Sequence, residues 1–592
     1  MIEKLVRRML IAQALSALTI CLCALIDNIM IGRFLGVTAL AADSIASPVL
    51  LAINAAATLL SAGVQVACGR SLGKGDQAEL NENYSSVIVA AAVFSIVFSL
   101  LVGALRMPLS ILLGAQGAQL ADQTGGYILG FLIGTPAVML SLILMPFLQI
   151  AGQNRLIVAA VLGLTVSDVA LDLLNVFVFH GGMFGMGLAS SVSYLVALLI
   201  SGTYFLSKKS IFRFSLAAVH RSKIREFFAG GAPTVIDLVF GLVFVFLMNR
   251  LLIAAGGDLM VAVFSVVSSV GTAGKSVGVG ASGVSLTLSG IFYYEESRAD
   301  LRRMLREMIR ASAVAGAAVT ALLILLASPL VRLYLPQAGA GQRMAALALR
   351  CFALGLIPCC LNNVFKSCYQ GTERIRRMEG ISLFENVLLP VAVAAVLLHI
   401  ADGSGVWLYF LIGEALTLLG VMVSIWLTKR RVTWAAEDAL LLKDSFGVPP
   451  EDLLEWNVRG LTDAMDASRA AESFCRAHGG SERLSTQLAL CVEEMATNVV
   501  AHGFAPDIQN SLSVLLQCKD GLWTLRFRDG CRPFDPVRHL SEHGGTETIG
   551  IRLALKTADD VRYTYSMNLN NLVLLLRDGA ASASIPAEKG EI

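Results

Sequence analysis

The sequence is short of charged residues. Asp, Glu, Lys and Arg together make up 15% of its 592 residues, whereas a soluble domain carries roughly a quarter. This shortage excludes a chain that is water-soluble throughout. It is confined to the part before about Leu427, where apolar runs dominate, and the residues that follow have a soluble composition. The sequence therefore predicts a membrane domain followed by a water-facing domain.

Patterns typical of metal centres and of nucleic-acid binding are also missing. The eleven cysteines include no Cys-x-x-Cys pair and no other metal-ligand spacing, so we interpret them as unpaired small apolar side chains. The Lys and Arg residues do not form a basic patch on one soluble element. This distribution argues against nucleic acid as a partner.

Twelve apolar runs are long enough to cross a lipid bilayer, which takes roughly 20 residues. Their predicted positions are 9–31, 44–69, 85–106, 127–150, 156–179, 184–206, 230–253, 259–290, 308–330, 347–370, 379–399 and 405–428. Lys and Arg concentrate in the loops on one side of this arrangement. Because basic loops mark the cytoplasmic side, we predict a multi-pass protein of the bacterial inner membrane with both termini in the cytoplasm.

The predicted spans fall into two similar halves. Span four contains Pro136 and is followed by a turn that ends at Arg155, and span ten contains Pro358 and is followed by a related turn that ends at Arg374. We therefore predict one six-helix lobe at 1–206, a cytoplasmic loop at 207–229 and a second lobe at 230–430. Two such halves place a substrate site between or within them, near the middle of the membrane.

Several short motifs follow one another along the first 430 residues. They are Ile26-Asp27-Asn28, Gly73-Lys74-Gly75-Asp76, Gly152-Gln153-Asn154-Arg155, the stretch 167–172 and Gly185-Met186-Gly187-Leu188-Ala189. In this order they resemble the multidrug and toxic compound extrusion (MATE) family. The resemblance implies a two-lobed, alternating-access exporter of small organic, cationic compounds that is driven by inward movement of H⁺ or Na⁺.

Carboxylates inside the predicted spans are the candidates for ion coupling, because an ionisable group at membrane depth is costly and therefore suggests function. Asp27 lies in span one, and Asp168 and Asp172 share one face of span five. The resemblance implies that Asp27 and Asp172 form the cation site of the first lobe, with Asp168 where Asn is usual. The alternatives are a headgroup-facing Asp27 and a structurally paired Asp172.

The second half contains embedded charges of both signs. Asp237 in span seven is a further candidate for a cation site, while Lys275 and Lys366 are embedded bases. Glu385 in span eleven could neutralise one of these lysines. Internal ion pairing is therefore the alternative interpretation for this half.

The region after the last span alternates between helical and strand patterns. We predict a linker at 431–444, an α/β sandwich of helices over an antiparallel sheet at 445–585, and a tail at 586–592. A turn at Asp520-Gly521 between two alternating strands predicts a β-hairpin.

Two motifs in this domain resemble those of histidine-kinase-like ATPases, close to the anti-sigma-factor serine kinases. They are Glu494-x-x-x-Asn498-x-x-x-His502 on a helix and Asp529 followed by Pro533-Phe534-Asp535-Pro536. The resemblance implies ATP and Mg²⁺ as cofactors. Asn498 would supply an oxygen to Mg²⁺, Glu494 would be the general base in phosphoryl transfer to a Ser or Thr hydroxyl, and Asp529 would accept from the adenine amino group.

A third stretch matches the ATPase pattern less well. Gly545 and Gly550 match the phosphate side of the nucleotide site, but the lid between 543 and 550 is short. Cys531 also stands where the adenine-binding motif usually has Gly. These departures concern ATP binding more than the fold, and the alternative is a degenerate sensor domain that binds another nucleotide or only a protein.

Three functions are compatible with these patterns. The first is a cation-coupled exporter regulated by its cytoplasmic nucleotide-binding domain. The second is a membrane-anchored Ser/Thr protein kinase that acts on a cytoplasmic protein partner and uses the helical domain as a sensor. The third is a flippase of lipid-linked oligosaccharides, which belongs to the same superfamily; such a protein needs several basic residues in its cavity, whereas the spans of the first half carry mainly acids.

Overall fold

The computed structural model describes residues 2–334, 339–400, 404–430, 436–443, 445–504, 510–542 and 549–578. Helices fill the described part up to residue 430, and the strands of this described part all lie beyond residue 450. The chain therefore divides into a helical region and a mixed C-terminal domain, as the composition predicts.

The helical region has two halves. The helices of the first half are α1 (Ile2–Met30), α2 (Val37–Lys74), α3 (Gln77–Ala104), α4 (Arg106–Leu112), α5 (Ala118–Ile133), α6 (Thr135–Ile150), α7 (Asn154–Leu174) and α8 (Gly182–Phe205). Those of the second half are α9 (Arg221–Tyr294), α10 (Arg298–Tyr334), α11 (Ala340–Leu354), α12 (Leu356–Gly371), α13 (Ile375–Leu383), α14 (Leu389–Ile400) and α15 (Tyr409–Lys429). Helix α9 contains two spans, because Gly256 and Gly257 leave helical geometry and break it.

Nine helices in the described residues are long and apolar enough to cross a membrane, and two bent pairs raise the number to eleven. These numbers do not count α1, whose 29 residues contain most of predicted span one. The bent pairs are α5–α6, bent by 52°, and α11–α12, bent by 43°. Because the bends fall in the corresponding predicted spans four and ten, they agree with an internal repeat. The count of twelve spans stays a prediction.

The halves pack closely on the side that carries the C-terminal domain, which we call the inner side. One apolar core there joins both halves and includes Leu72 and Phe292. Gly69 of α2 and Gly290 of α9 face each other so closely that even a Cβ would touch the opposite backbone. At the other end, the second half has a separate core around Phe264, Trp407 and Phe410. The halves therefore share one core at the inner side, while the second half has a core of its own at the other end.

The C-terminal domain is an α/β sandwich. After a short helix α16 (Ala436–Ala439), its helices are α17 (Leu461–Ala477), α18 (Glu482–Asn498), α19 (Pro536–Glu542) and α20 (Ile549–Thr557). Its strands are β1 (Leu453–Val458), β2 (Leu512–Lys519), β3 (Leu522–Asp529), β4 (Asp560–Ser566) and β5 (Leu569–Arg577), all antiparallel, in the order β1-β2-β3-β5-β4.

The predicted hairpin between β2 and β3 is confirmed. Asp520 and Gly521 both have positive φ angles, of 51° and 78°, as a two-residue hairpin turn of this twist requires. Side chains alternate along β3, since successive residues of a strand point to opposite faces. Trp523 and Phe527 pack into the core beneath the helices, and Arg526 lies on the other face. Helix α19 was not predicted from the sequence.

Candidate functional site

A cavity of about 230 Å³ lies inside the first half. Its lining residues come from α1, α2, α5, α7 and α8, and the polar ones are Cys23, Asp27, Asp43, Asn54, Tyr127, Asp168, Ser190 and Tyr194. The ligand atoms of Cys23, Asp27 and Asp168 lie within 4.8 Å of one another. We call this site the acidic cavity.

Two donors hold Asp168 in place. The Cys23 thiol donates to Asp168 Oδ2 at 2.8 Å, and the Ser193 hydroxyl donates to Asp168 Oδ1 at 3.0 Å. In contrast, Asp27 Oδ1 and both carboxylate oxygens of Asp172 are buried and have no hydrogen-bond partner among the described residues. Asp27 Oδ1 can therefore bind a ligand. It lies next to the carboxylate of Asp168, whose orientation is fixed by Cys23 and Ser193.

No basic side chain occurs among the described residues that line the acidic cavity. A buried carboxylate that lacks a positive partner is strongly destabilised in its ionised form. Such a group becomes stable when it takes up a proton or binds a cation. The arrangement can therefore bind a proton or a small cation.

The structure brings the three predicted acids of the first half together and adds a fourth acid. Asp27 and Asp168 line the cavity. Asp172, one helical turn further along α7, is fully buried outside the lining, and its side chain interacts directly with Asp27. Sequence analysis missed Asp43, because predicted span two began at residue 44, one residue too late. It also missed Tyr127, since a tyrosine in an apolar run gives no signal of its own.

The second half differs, because its carboxylates face an amine. Lys366 Nζ lies 3.2 Å from Asp237 Oδ1 and 2.9 Å from Glu385 Oε2. The Asn386 amide also donates to Asp237 Oδ1 at 2.8 Å. Asp237, the predicted cation ligand of this half, is thus held in an internal ion pair.

Glu414 on α15 is a buried acid that sequence analysis overlooked. Its carboxylate accepts a hydrogen bond of 2.8 Å from the Asn362 amide, and its ligand atoms lie within 4.8 Å of those of Cys359 and Glu385. The only available signal was a single Glu within the apolar run of span twelve. Nearby, Lys275 Nζ lies 4.5 Å from the centroid of the Phe410 ring.

The C-terminal domain contains a second cavity, of about 180 Å³, between α18, β3 and β5. Its lining includes Asn498, His502, Asp529, Cys531 and Phe534. The amide of Asn498 makes no hydrogen bond to any residue that the structure describes and is therefore free to bind a ligand. The volume is below the roughly 300–1,000 Å³ of whole small-molecule sites, so it fits a nucleotide base better than a complete nucleotide.

Asp529 is oriented towards this cavity. Its Oδ1 accepts a hydrogen bond of 2.8 Å from the Cys531 backbone N–H and another of 2.8 Å from the Asn570 amide. Both bonds use Oδ1, so they fix the orientation of the carboxylate. A carboxylate held in this way can accept a hydrogen bond from an amino group.

Cys531 does not disturb Asp529, although Gly is usual at this position in the resembling family. Its backbone N–H donates to the carboxylate, and any residue except Pro supplies that group. Its thiol also interacts with the Asp529 carboxylate through a side-chain hydrogen bond. Burial raises the pKa of the Cys531 thiol to about 12, and the negative charge of Asp529 contributes. The thiol is therefore protonated at neutral pH and lines the cavity as a small uncharged group.

Two other predicted residues, Glu494 and Gly550, lie outside the described lining of this cavity. The carboxylate of Glu494 packs against Gly550 at the start of α20, where a Cβ would overlap it. Glu494 is not part of the described lining of the cavity. Gly545, predicted for the phosphate side, lies outside the described residues.

The fold combines two known architectures, that of a MATE transporter and that of a histidine-kinase-like ATPase. Residues 13–174 match the model of the MatE family, and residues 461–576 match the model of the histidine kinase-like ATPase domain. The chain is thus a multi-pass membrane protein with a MatE domain and a C-terminal ATPase-like domain. Both resemblances inferred from the sequence motifs are confirmed.

Two relatives are named multidrug export protein MepA. The one from Staphylococcus saprophyticus is 23% identical over 411 residues, which cover 69% of this chain and 90% of the relative. The one from Staphylococcus aureus is 21% identical over 398 residues, which cover 67% and 87%.

Solved structures share the helical fold. A multidrug resistance MATE transporter of the MOP superfamily in an outward-facing conformation matches with a TM-score of 0.65 at 20% identity, over 71% of this chain and 94% of that one. A MOP-superfamily transporter from Pyrococcus furiosus gives the same values. The predicted two-part fold class is confirmed.

Proposed function

We propose that this protein exports small organic cations in exchange for inward-moving H⁺ or Na⁺, and that its C-terminal domain is a nucleotide-binding regulator. The observation that carries the proposal is the acidic cavity, whose described lining holds three carboxylates and no base. A coupling ion and a cationic substrate can both neutralise such a site, and competition between them for the same carboxylates is the basis of antiport. The names of the relatives support an export function.

The coupling residues in this proposal are Asp27, Asp168 and Asp172 in the first lobe, at 1–206. Asp237 would contribute in the second lobe, at 230–430, when Lys366 releases it. The distribution of basic loops supports a cytoplasmic location for both termini in the bacterial inner membrane. The C-terminal domain then faces the compartment that contains ATP.

Proteoliposomes containing the purified full-length chain test the export function. We expect ethidium to move against its gradient when either a pH gradient or a Na⁺ gradient is imposed, and not when neither is present. The gradient that drives movement identifies the coupling ion. Transport that is absent under both gradients contradicts the proposal, provided that the chain remains folded and inserted.

The C-terminal cavity fits the base of ATP. Asp529 would accept from the adenine amino group through Oδ2, and Asn498 would supply its amide oxygen to Mg²⁺, a hard ion that prefers oxygen ligands. Bound ATP would supply a charged triphosphate close to α20. The fixed orientation of Asp529 and the position of Asn498 in the same cavity support this assignment.

We expect Asp529→Asn to weaken binding of a fluorescent ATP analogue to the full-length chain by roughly 10- to 100-fold. The substitution replaces a charged acceptor by an amide, and a hydrogen bond to a charged group contributes about 1.5–3 kcal/mol. Asp520→Asn is the matched control, because Asp520 occupies an exposed turn with positive φ, which Asn tolerates. Equal affinities in the two variants would contradict the assignment of the site.

The other two functions receive less support. A kinase needs a general base next to the transferred phosphoryl group, whereas Glu494 packs on Gly550 outside the described cavity lining. A flippase of anionic lipid-linked sugars needs a basic cavity, whereas the described lining of the first-half cavity is acidic.

A further inference from the structure

One face of the C-terminal sheet lies against the helical region instead of facing water. Arg526 and Arg528 of β3 point from this face, and both side chains are less than 10% exposed. Buried arginines need acidic partners, and here the partners belong to the other domain. They are Glu295, directly after α9, and Asp300, in the first turn of α10 of the second half.

The four side chains form a closed network. Arg526 lies 2.9 Å from Glu295 and 2.9 Å from Asp300, while Arg528 lies 2.7 Å from Glu295 and 3.0 Å from Asp300. Each acid therefore binds both arginines. Burial lowers the pKa of Arg528, but the two carboxylates raise it by more, so this arginine stays charged.

The same domain also contacts the first half. In the turn between β4 and β5, the backbone N–H of Met567 donates to the carbonyl of Ile150 at 2.6 Å. The Asn568 amide donates to the carbonyl of Gly152 at 2.9 Å. Ile150 and Gly152 mark the inner end of the bent pair α5–α6. Met567 is part of the inner core that joins the two halves.

Further contacts surround these two anchors. Arg303 of α10 and Glu455 of β1 form two hydrogen bonds of 2.7 Å. Arg562 of β4 donates to the carbonyl of Lys74, at the inner end of α2, at 2.9 Å. One side of the sheet therefore forms hydrogen bonds and ion pairs with the inner ends of helices from both halves.

The halves also bind each other at this level. Arg70 of α2 pairs with Glu226 of α9 at 2.5 Å and with Glu373, and it donates to the Tyr294 hydroxyl at 3.1 Å. These contacts cross from the first half to the second. They must break if the helical region is to open towards the inner side.

We propose that the sheet face carrying Arg526 and Arg528 is a docking surface for the inner ends of both halves, and that docking keeps the inner entrance closed. Opening to the inner side requires the two halves to move apart there. A rigid sheet bonded to both halves opposes this movement. The docked domain therefore favours the conformation that is open to the outside, and its release permits the inward-open conformation.

A full-length variant with Glu295→Gln, Asp300→Asn, Arg526→Met and Arg528→Met tests the proposal. It removes the network without leaving a buried charge unpaired. The matched control is Arg303→Met with Glu455→Gln, an ion pair at the exposed edge of the same surface.

Hydrogen–deuterium exchange of peptides covering residues 146–156 and 290–303 reports docking. Alkylation of Cys68 and Cys368 by N-ethylmaleimide reports opening, because both are fully buried in the inner core.

In the four-residue variant we expect faster exchange in both peptides and at least tenfold faster alkylation of the two cysteines, with the control close to wild type. Faster exchange with unchanged alkylation would overturn the closing role. Unchanged exchange would overturn the docking surface itself. If this variant does not fold, the full-length variant Glu295→Gln with Arg528→Met, which leaves Arg526 paired with Asp300, gives the same comparison. Neither readout needs a substrate, an ion gradient or a nucleotide, so the result is independent of the function proposed above.

Discussion

Asp27→Asn is expected to abolish ion-driven export, reducing it at least roughly tenfold in proteoliposomes. Asn has nearly the same shape as Asp but cannot take up a proton or carry a negative charge. In the acidic cavity, Asp27 contributes a buried oxygen that has no partner among the described residues. The loss should therefore concern coupling, and the amount of folded protein should not change.

Two comparisons make this prediction specific. Asp122→Asn changes an exposed acid of α5 and should leave transport unaffected. Asp168→Asn should retain part of the activity, because Asn is usual at this position in the MATE family and can still bond Cys23 and Ser193. Full transport by Asp27→Asn under the same gradient would show that the coupling ion binds elsewhere.

Lys366→Met is expected to destabilise the helical region by about 3–5 kcal/mol, the usual cost of removing one partner of a buried ion pair. Asp237 and Glu385 would then be left without a positive partner. The reason is desolvation: both carboxylates keep the burial penalty and lose the attraction that offset it. Thermal unfolding of the purified protein, followed by tryptophan fluorescence, measures the effect.

The partners of Lys366 provide an internal test of this explanation. Adding Glu385→Gln to Lys366→Met removes one of the unpaired charges and should recover part of the lost stability. Lys208→Met, which changes an exposed lysine after α8, is the control and should have little effect. A melting temperature that does not change in Lys366→Met would contradict the assigned ion pairs.

The helical fold could be predicted because the bilayer imposes a simple requirement, a run of about 20 apolar residues per span. The twelve predicted runs fall largely on helices for this reason. The bends at Gly134 and Gly355 could not be predicted, since the apolar composition continues through both. The start of span two was misjudged for a similar reason: Asp43 looks like a loop residue in the sequence, although it lies within α2.

The candidate sites were predicted in part. The resemblance to the MATE family grouped Asp27 with Asp172, whereas the cavity is lined by Asp27 and Asp168. The resemblance to the ATPases grouped Asn498 with Asp529, and these two residues line one cavity. The cation-site and nucleotide-site roles of these residues stay predictions. Contacts between distant parts of the chain gave no signal. Arg526 and Arg528 alternate with apolar residues, as in a strand with one wet face, and nothing in that pattern indicates that this face is covered by Glu295 and Asp300.

Because the docking surface lies near the end of the sequence, it forms late during synthesis. The docking contacts named above use helical-region residues between 74 and 303. The ribosome therefore translates all of them before the C-terminal domain that binds them. Strand β5 lies between β3 and β4 in the sheet, so the docking face is incomplete until residues 569–577 have emerged from the ribosome. The helices are thus inserted and packed while their inner ends are still uncovered, since domains generally fold as units from the N-terminal side. A nascent chain stalled before β5 would therefore already contain the packed helical region without the docked C-terminal domain.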